Sequence, residues 1–593
     1  MAHETPASRR GERVNDNAAV AGLLEEMADH LEARDVEYKP NVYRRAAESI
    51  RGHTVSVARL YEEGGEESLG EIEDVGDAIA AKTAEFLETG TIGELEDLRA
   101  ELPVEMDALT AVEGVGPKTV GALYEALGIE TLDDLEAAAE AGEIREVSGF
   151  GETTEANILE RIPFAREARS RSLLGDARPV ADRLVAFFEG HDAVEAVETA
   201  GSIRRWRPTT GDIDVLVGSD EGEAVIDAFD SWDGADSVIE AGTNKASVRS
   251  DGERVDVRVV VPEEFGAALQ YFTGSKDHNV TLRNRAIAMD LKLNEYGVFD
   301  VSEVEDPDSG RRVGERVAGE TEADVYDAVG LPWIPPELRE NRGEIEAAAE
   351  GDLPDLIGTD DVRGDLHLHT TASDGGASID EMIAAAAEYG HEYIGIADHA
   401  TGPGMVGGVG LDDEALVAHA NAVRAAGEGA PIDVFAGVEA NIGSDGGIHV
   451  GDDALAELDF VVASPHSGLD GDGTDRLVAA IEHPAVDVLG HPTGRLLNQR
   501  PGLEIDIERV AQAAADSGTA LEINADVRRL DLRSSYVSVA IEAGATIAIN
   551  TDAHSTDAYE NLRFGVHTAR RGWAEPVDVL NCRDADGIRE FFE

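Results

Sequence analysis

The chain has a single cysteine, Cys582, in 593 residues. That excludes an internal disulfide and any multi-thiolate metal site. Lysine is nearly missing too. The six lysines (Lys39, Lys82, Lys118, Lys245, Lys276 and Lys292) all lie in the first half, against 43 arginines spread along the chain. No run of 18 or more apolar residues occurs, so no membrane span is expected. The stretch Met1 to Arg10 lacks the apolar segment of a signal peptide, and a cytoplasmic location is the expectation. Basic residues as a whole are scarce, 49 against 122 acidic ones, for a net charge of −73. Composition of this kind raises disorder as a possibility. Apolar periodicity from end to end and a hydrophobic fraction of 42% argue instead for folded cores. The charge reads as the surface of a protein for a salty, halophile-type cytoplasm. At about 1 M salt the Debye length is only ~3 Å. Long-range attraction to a polyanion is then excluded, and any nucleic-acid contact must rest on backbone amides, metals, stacking and a few arginines.

What is present concentrates in a few places, and the length suggests about four domains. The stretch Gly201 to Leu216 opens on a Gly-Ser pair (Gly201, Ser202) able to wrap a phosphate. It continues through Arg204 and Arg205 and ends in Gly211-Asp212-Ile213-Asp214. Alternate residues of a strand share a face, so Asp212 and Asp214 point the same way, about 6–7 Å apart. A divalent cation, usually Mg²⁺, relieves such a pair. Ile213, Val215, Leu216 and Val217 read as buried strand, not as an acidic turn. Asp256, in the alternating run Arg254 to Val261, supplies a third carboxylate if its strand lies beside the first. Three carboxylates, two metals and a Gly-Ser loop are the equipment of nucleotidyl transfer. Downstream, Tyr271-Phe272-Thr273-Gly274-Ser275, then Asn279 and Arg283, suit a sugar-and-base pocket. A core aromatic pair before a helix fits the same residues.

From about Asn17 to Leu102 apolar residues such as Val20, Leu24, Met27 and Leu31 recur at helical spacing. Three similar turns follow at intervals of about 35–40 residues, around Gly76, around Gly114 and Gly116, and around Gly149 and Gly151. A Gly-x-Gly turn that opens a helix leaves backbone N–H groups free for a phosphate, and Lys118 stands beside the second copy. These read as helix-hairpin-helix elements, which grip the DNA backbone without reading sequence. The first copy has Asp74 where the first glycine usually sits, which puts its grip in question.

Eleven of the 16 histidines lie between 361 and 593. Short apolar runs there end repeatedly on a metal-ligand residue: His367 and His369, followed by Asp374, then His399, Glu439, His466, His491, and Asp552 with His554. Helical patterns separate these runs. Polar residues at the C-terminal ends of successive strands mark the active face of a β/α barrel. Mixed imidazole and carboxylate ligands suit Mn²⁺, Zn²⁺ or Fe²⁺ better than Mg²⁺.

The motifs Gly201-Ser202-x-Arg204-Arg205, Gly211-Asp212-x-Asp214, Asp256-x-Arg258 and Tyr271 to Ser275 resemble the X-family DNA polymerases, relatives of DNA polymerase beta. The likeness covers roughly residues 17–335. It implies that Asp212, Asp214 and Asp256 hold Mg²⁺ or Mn²⁺, with Asp256 nearest a primer 3′-hydroxyl. It implies that Ser202, Arg205 and Gly211 hold the triphosphate, that Tyr271, Phe272 and Gly274 pack the sugar, and that Asn279 meets the base and Arg283 the template. Lys82 matches the Schiff-base lysine of the family's lyase domain. Ala78 stands where a second lysine is frequent, so both lyase chemistry and plain phosphate contact stay open.

His367-Leu368-His369, Asp398-His399, Gly490-His491-Pro492 and Asp552-Ala553-His554 resemble the PHP (polymerase and histidinol phosphatase) domain over about 361–593. That likeness implies a distorted seven-stranded barrel with three metals and a 3′–5′ exonuclease, with 3′-phosphatase or abasic-site endonuclease as variants. His449 stands where an aspartate is expected. Arg495 and Arg528 fit phosphate binding and ordinary ion pairs equally well.

The expected fold is therefore multidomain, α+β and α/β. A tail spans 1–15, a lyase-like helical domain 16–102 and a hairpin subdomain 103–169. A nucleotidyltransferase palm spans 170–262, a thumb 263–335, a helical linker 336–360 and the barrel 361–593. The expected partners are gapped or primer-template DNA and deoxynucleoside triphosphates, acted on by a monomer. A small-molecule nucleotidyltransferase and a silent DNA scaffold are the rival readings; the hairpins oppose the first and the intact ligand sets oppose the second.

Overall fold

The computed structural model describes residues 6–593 apart from 37, 52–55, 71, 73, 113, 170, 308 and 405–408. The chain divides into two compact units, one over the first 170 residues, with which 498–500 group, and one over the rest.

The first unit is helical throughout its described residues. Its first helix, Pro6–Ala33, begins inside the stretch expected to be a tail. One core gathers Val20, Leu24, Met27, Tyr43, Ile79 and Leu95. A second gathers Leu109, Val120, Leu135 and Ile158. Gly121 lets the helix Pro117–Leu127 cross the end of the first helix, because a Cβ there would lie 2.0 Å from the Ala33 carbonyl oxygen.

The second unit opens with the helix Leu174–Glu189 against a five-stranded sheet. The strand order is Ala196–Thr199, Ile213–Gly218, Glu253–Val260, Lys245–Ser250, Ser237–Ala241. The second and third of these run parallel, and their register sets Asp214 opposite Asp256. A thumb follows, with the helices Phe265–Thr273 and Lys276–Ile287 and a three-stranded antiparallel sheet.

Residues 336–360 are no exposed spacer. Glu337, Leu338, Arg339, Glu344, Ile345 and Ala348 are buried. The acidic composition misleads because the charges have partners: Glu337 accepts hydrogen bonds from Arg570 and from His567 Nδ1, Glu344 meets His278 Nδ1 at 2.6 Å, and Arg339 donates to Glu322 at 2.5 Å.

The rest of the unit is a sheet of seven parallel strands in chain order, from Gly364–Leu368 to Ile547–Asn550. Closure is nearly complete, since His369 N–H donates to the Ala553 carbonyl at 2.9 Å. This matches the expected (β/α)₇ barrel. The palm does not stop at its own sequence: barrel residues Leu530 and Phe564 are buried in its core, with Leu497 and Val527 packed alongside.

Candidate active sites

In the palm, one carboxylate oxygen from each of Asp212, Asp214 and Asp256 lies within 4.8 Å of the others. Burial, and then the neighbouring Asp212 and Asp256 charges, push the Asp214 carboxyl up to about 7. Asp212 is raised for the same reasons. Asp256 is held below the usual carboxylate range, because its hydrogen bonds from Arg254 and Ser247 outweigh its burial. Arg254 Nε donates to it at 2.9 Å. Carboxyls whose ionisation is opposed by burial and by one another are a place for a divalent cation, so the donor set fits one.

Gly201 closes the wall of this site. It has φ of +61°, and a Cβ on it would lie 2.4 Å from Asp214 Oδ2, so no larger residue fits. Ser202 Oγ pairs with Thr210 Oγ1 at 2.7 Å, one residue before Gly211. Tyr271 is exposed, and Phe272 lies edge-on to it beneath the Arg258 guanidinium. Both belong to the last turn of a helix and not to a free turn. Arg283 is exposed on the next helix.

Two residues expected to touch nucleotide also make hydrogen bonds within the protein. The Arg205 guanidinium donates to the Thr273 carbonyl and, at 3.1 Å, to Glu340. The Asn279 amide is held by Gln270 at 2.7 Å and by the Tyr271 carbonyl at 2.7 Å. Arg205 therefore ties the Gly201 loop to the strand of backbone that leads into Gly274, whose missing Cβ would lie 3.3 Å from Arg205 Nη1.

The three hairpins share one backbone geometry. Gly114 and Gly149 have φ of +87° and +97°, and Asp74 takes the same left-handed conformation at +58°. In each, the next residue's N–H closes the turn: Val75 to Ile72, Val115 to Val112, Phe150 to Val147. Gly76 and Gly116 then cap the helices Asp77–Thr89 and Pro117–Leu127, and Gly151 precedes Glu152–Arg169. Gly76, Gly114, Gly116, Lys118, Gly149 and Gly151 are all exposed. The departure at Asp74 thus leaves the fold of the turn intact, since Asp tolerates this region better than most residues.

Lys82 is salt-bridged to Glu94 at 3.0 Å, and Lys39 meets the same carboxylate at 3.1 Å. Burial alone would lower the Lys82 ammonium, but Glu94 and Tyr43 outweigh it and hold the group above its ordinary value.

The barrel ligands converge into three overlapping groups: His369, Asp374, His399 and His554; His367, His369 and Glu439; His399, Glu439 and His466. His491 Nε2 adds a contact to Glu439 at 2.9 Å, and Asp552 meets His369 Nε2 at 3.0 Å. All nine expected residues are therefore in one cluster. His449, by contrast, is exposed and in none of these groups. His367 Nε2, both His369 nitrogens, His399 Nδ1, Glu439 Oε2, His466 Nε2 and His491 Nδ1 are buried with no hydrogen-bond partner. Buried polar atoms are normally satisfied, so orphans converging on one point fit divalent cations. Without metal the histidines divide: burial lowers His369 to about 4, whereas at His399 and His554 burial is outweighed, Glu439 and Asp374 raising His399 to about 10 and Asp374 and Asp552 raising His554 to about 9.

Sequence reasoning missed the residues that aim these ligands. Glu522 meets His367 Nδ1 at 2.8 Å and accepts the His491 N–H at 2.7 Å. Asn524 Nδ2 donates to Asp552 at 2.9 Å, and Asn441 Oδ1 meets His466 Nδ1 at 2.7 Å. Asp398 accepts from Thr370 and His419. The signal was a charge inside an apolar strand, as in Leu521-Glu522-Ile523. Such a residue stays ionised only with partners. Arg495 is buried and donates to the Arg529 and Leu530 carbonyls, and Arg528 pairs with Asp526.

A nucleotidyltransferase-like palm with three carboxylates, joined to a parallel barrel with nine converging ligands, defines a protein with two separate centres of metal-dependent phosphoryl chemistry. Residues 15–92 match a helix-hairpin-helix domain and 106–162 a SAM-like helix-hairpin-helix tandem. Residues 268–340 match the DNA polymerase beta thumb and 365–526 the PHP domain. The chain is 34% identical to the DNA polymerase/3′-5′ exonuclease PolX of Bacillus subtilis (strain 168) over 96% of its own length and 98% of that protein. It is 25% identical to DNA polymerase lambda of Rattus norvegicus over 56% of this chain and 58% of the rat protein. Over 32% of its length it is 35% identical to a probable phosphatase of Caldicellulosiruptor bescii, covering 79% of that protein. The chain belongs to the X family of DNA polymerases, in the PolX type that carries a C-terminal PHP domain.

Proposed function

We propose that this chain is a DNA-directed DNA polymerase that fills short gaps, joined to a 3′–5′ exonuclease that trims the same ends. The observation that carries this reading is the coexistence of both complete ligand sets in one chain whose N-terminal unit presents three phosphate-gripping hairpins. A small-molecule substrate has no use for such hairpins.

Asp212, Asp214 and Asp256 would hold Mg²⁺ or Mn²⁺, and the nine barrel residues three ions drawn from Mn²⁺, Zn²⁺ and Fe²⁺. Divalent cations at these places supply activation of the attacking oxygen and charge neutralisation on phosphate. The chain's own residues do the rest. Asp256, kept ionised by Arg254, is the carboxylate able to take the proton of a primer 3′-hydroxyl. Ser202 and the Gly201 loop cradle the triphosphate, Arg205 fixes that loop to Thr273, and Tyr271, Phe272 and Gly274 flank the sugar. Asn279, oriented by Gln270, reaches the base edge, and exposed Arg283 faces the template strand. Lys82, paired with Glu94, serves as a 5′-phosphate contact. In the barrel, Glu522 and Asn524 hold His367 and Asp552 in the orientation that ligation needs. The protein acts as a monomer. Among its described residues no helix is long and apolar enough to cross a membrane.

The test uses a 5′-labelled primer in a short gap at high KCl with Mn²⁺. Extension with nucleotides is expected, lost in Asp256→Ala and kept in His369→Ala. Shortening without nucleotides is expected, lost in His369→Ala and kept in Asp256→Ala. If neither product forms with the unaltered chain, the reading fails.

A further inference from the structure

The loop that follows Gly201 and Ser202 is fastened from three directions. From the thumb, Glu322 receives two bonds from Arg204 at 2.8 Å each, and Thr273 Oγ1 receives another at 2.7 Å. From the segment after the thumb, Glu340 meets Arg205 at 3.1 Å and Arg207 at 3.3 Å. The third direction is the barrel. Its helix Leu562–Arg571 lays His567 flat on Trp206, with ring centroids 3.6 Å apart and planes 4° apart, and sets Phe564 edge-on at 5.8 Å. Arg571, with 5% of its side chain exposed, donates to the main-chain carbonyl of Arg205 and to Glu340 at 3.1 Å.

Trp206 has φ of +52°, a region that bulky side chains rarely adopt. Something must hold it there, and the stacked His567 beneath it, with Arg178 at 4.6 Å from its ring, does so. The turn at Trp206 is what lets the Arg207 N–H return to the Ser202 carbonyl at 3.1 Å. Gly201, beside Ser202, packs directly against Asp214. A chain of direct contacts therefore runs from the barrel helix, through Arg571 and His567, to the backbone of the phosphate loop.

We propose that Arg571 and His567 of the barrel are positioning residues for nucleotide addition, setting the shape of the Gly201–Arg207 loop and with it the affinity for the incoming triphosphate. This rests on the polymerase reading above. Neither residue touches a barrel ligand, so the effect belongs to the palm alone. A fork-shaped guanidinium bonding a carbonyl and a carboxylate at once is poorly replaced by an ammonium, and only partial recovery by lysine is expected.

The test compares the unaltered full chain with Arg571→Gln, Arg571→Lys and His567→Ala. KM for nucleotide and kcat are measured in gap filling, exonuclease rate is measured on the same duplex, and Tm is recorded. Arg571→Gln should raise KM about tenfold with kcat changed less than about threefold and exonuclease unchanged. Arg571→Lys should recover part of the loss, and His567→Ala should raise KM by a smaller factor. An unchanged KM overturns the proposal. So does a parallel fall of both activities and Tm, which marks general destabilisation. If Arg571→Gln does not fold, His567→Ala is read by the same criteria. Failure of the unaltered chain to extend a primer would instead sink the polymerase reading itself.

Discussion

The palm and the barrel meet the same problem, holding divalent cations against phosphate, with opposite means. The palm uses carboxylates alone, partly open to solvent, with Asp256 13% exposed and Arg254 alongside as a partial counter-charge. The barrel buries most of its ligands: His367 and His369 are fully inaccessible and Glu439 is 1% exposed, while Asp374 and His554 at its mouth are 35% and 40% exposed. An open carboxylate trio binds weakly until a triphosphate adds its own oxygens, and Mg²⁺ keeps several waters in such sites. Seven buried polar atoms of the barrel set make no hydrogen bond, and cations would satisfy them. The comparison leads to the expectation that the palm takes up its cations with substrate, whereas the barrel retains its own.

The sharpest way to break this contrast is Glu439→Gln. Glu439 lies within 3.7 Å of His367, His369, His399, His466 and His491. Its loss should remove bound metal and reduce exonuclease by at least ~10³-fold, the scale of losing transition-state charge stabilisation. Primer extension should persist. Metal content by mass spectrometry and both activities check it; simultaneous loss of extension would mean that the palm depends on barrel metal.

Chelation should separate the sites less drastically but more generally. After brief chelator treatment and gel filtration, the barrel ions should remain and the palm ions be gone, so added Mg²⁺ restores extension at once. Prolonged chelation should then lower Tm, because metal binding to a preformed site adds folding free energy. Asp212→Asn should leave the retained metal count unaltered. Equal loss from both sites on brief treatment would refute the distinction.

Both ligand sets were legible in the sequence because each marks a strand end or a strand face with residues that have no other reason to recur there. Strand periodicity alone put Asp212 and Asp214 on one side, and the parallel register delivered Asp256 opposite Asp214. What the sequence hid were partnerships between distant residues. Nothing local shows that Arg205, whose motif implies a triphosphate contact, also bonds Thr273 and Glu340, 68 and 135 positions away. Residues 336–360 read as a helical linker, and the helix Glu344–Glu350 is there, but nothing local reveals that His567 and Arg570 cover Glu337. The barrel's share in the palm core, through Leu530 and Phe564, was invisible for the same reason.

That covered carboxylate gives a pH test of the contact between the segment after the thumb and the barrel. Glu337 is lowered to about 2, since the hydrogen bonds from His567 and Arg570 outweigh its burial. A carboxylate whose folded pKa is depressed stabilises the fold above its unfolded value, near 4.5, and loses that contribution as pH falls toward 2. Glu337→Gln should therefore cost at most about 3 kcal/mol near neutral pH. The Tm gap from the unaltered chain should narrow steadily below pH ~4.5. A gap that stays constant with pH would mean that packing, and not the charge, makes this contact.

The smallest effect belongs to the hairpins. Asp74 takes the left-handed backbone that Gly114 and Gly149 take, but adds a negative charge at the mouth of the turn, 3.5 Å from Arg45. In Asp74→Gly the turn keeps its shape, the repulsion toward a phosphate disappears and Arg45 is released to face it. Binding of a fluorescent gapped duplex should tighten by about two- to fivefold at low KCl, with a smaller gain at high KCl where the charge is screened. Folding stability should barely move, because relief at φ > 0 is offset by the added freedom of glycine in the unfolded chain. Gly114→Ala should act in the opposite sense by a similar factor, through strain at φ +87° and not through charge, so its effect should be independent of salt. Unchanged binding in Asp74→Gly beside weakened binding in Gly114→Ala would show that the first hairpin is folded like the others but does not touch DNA.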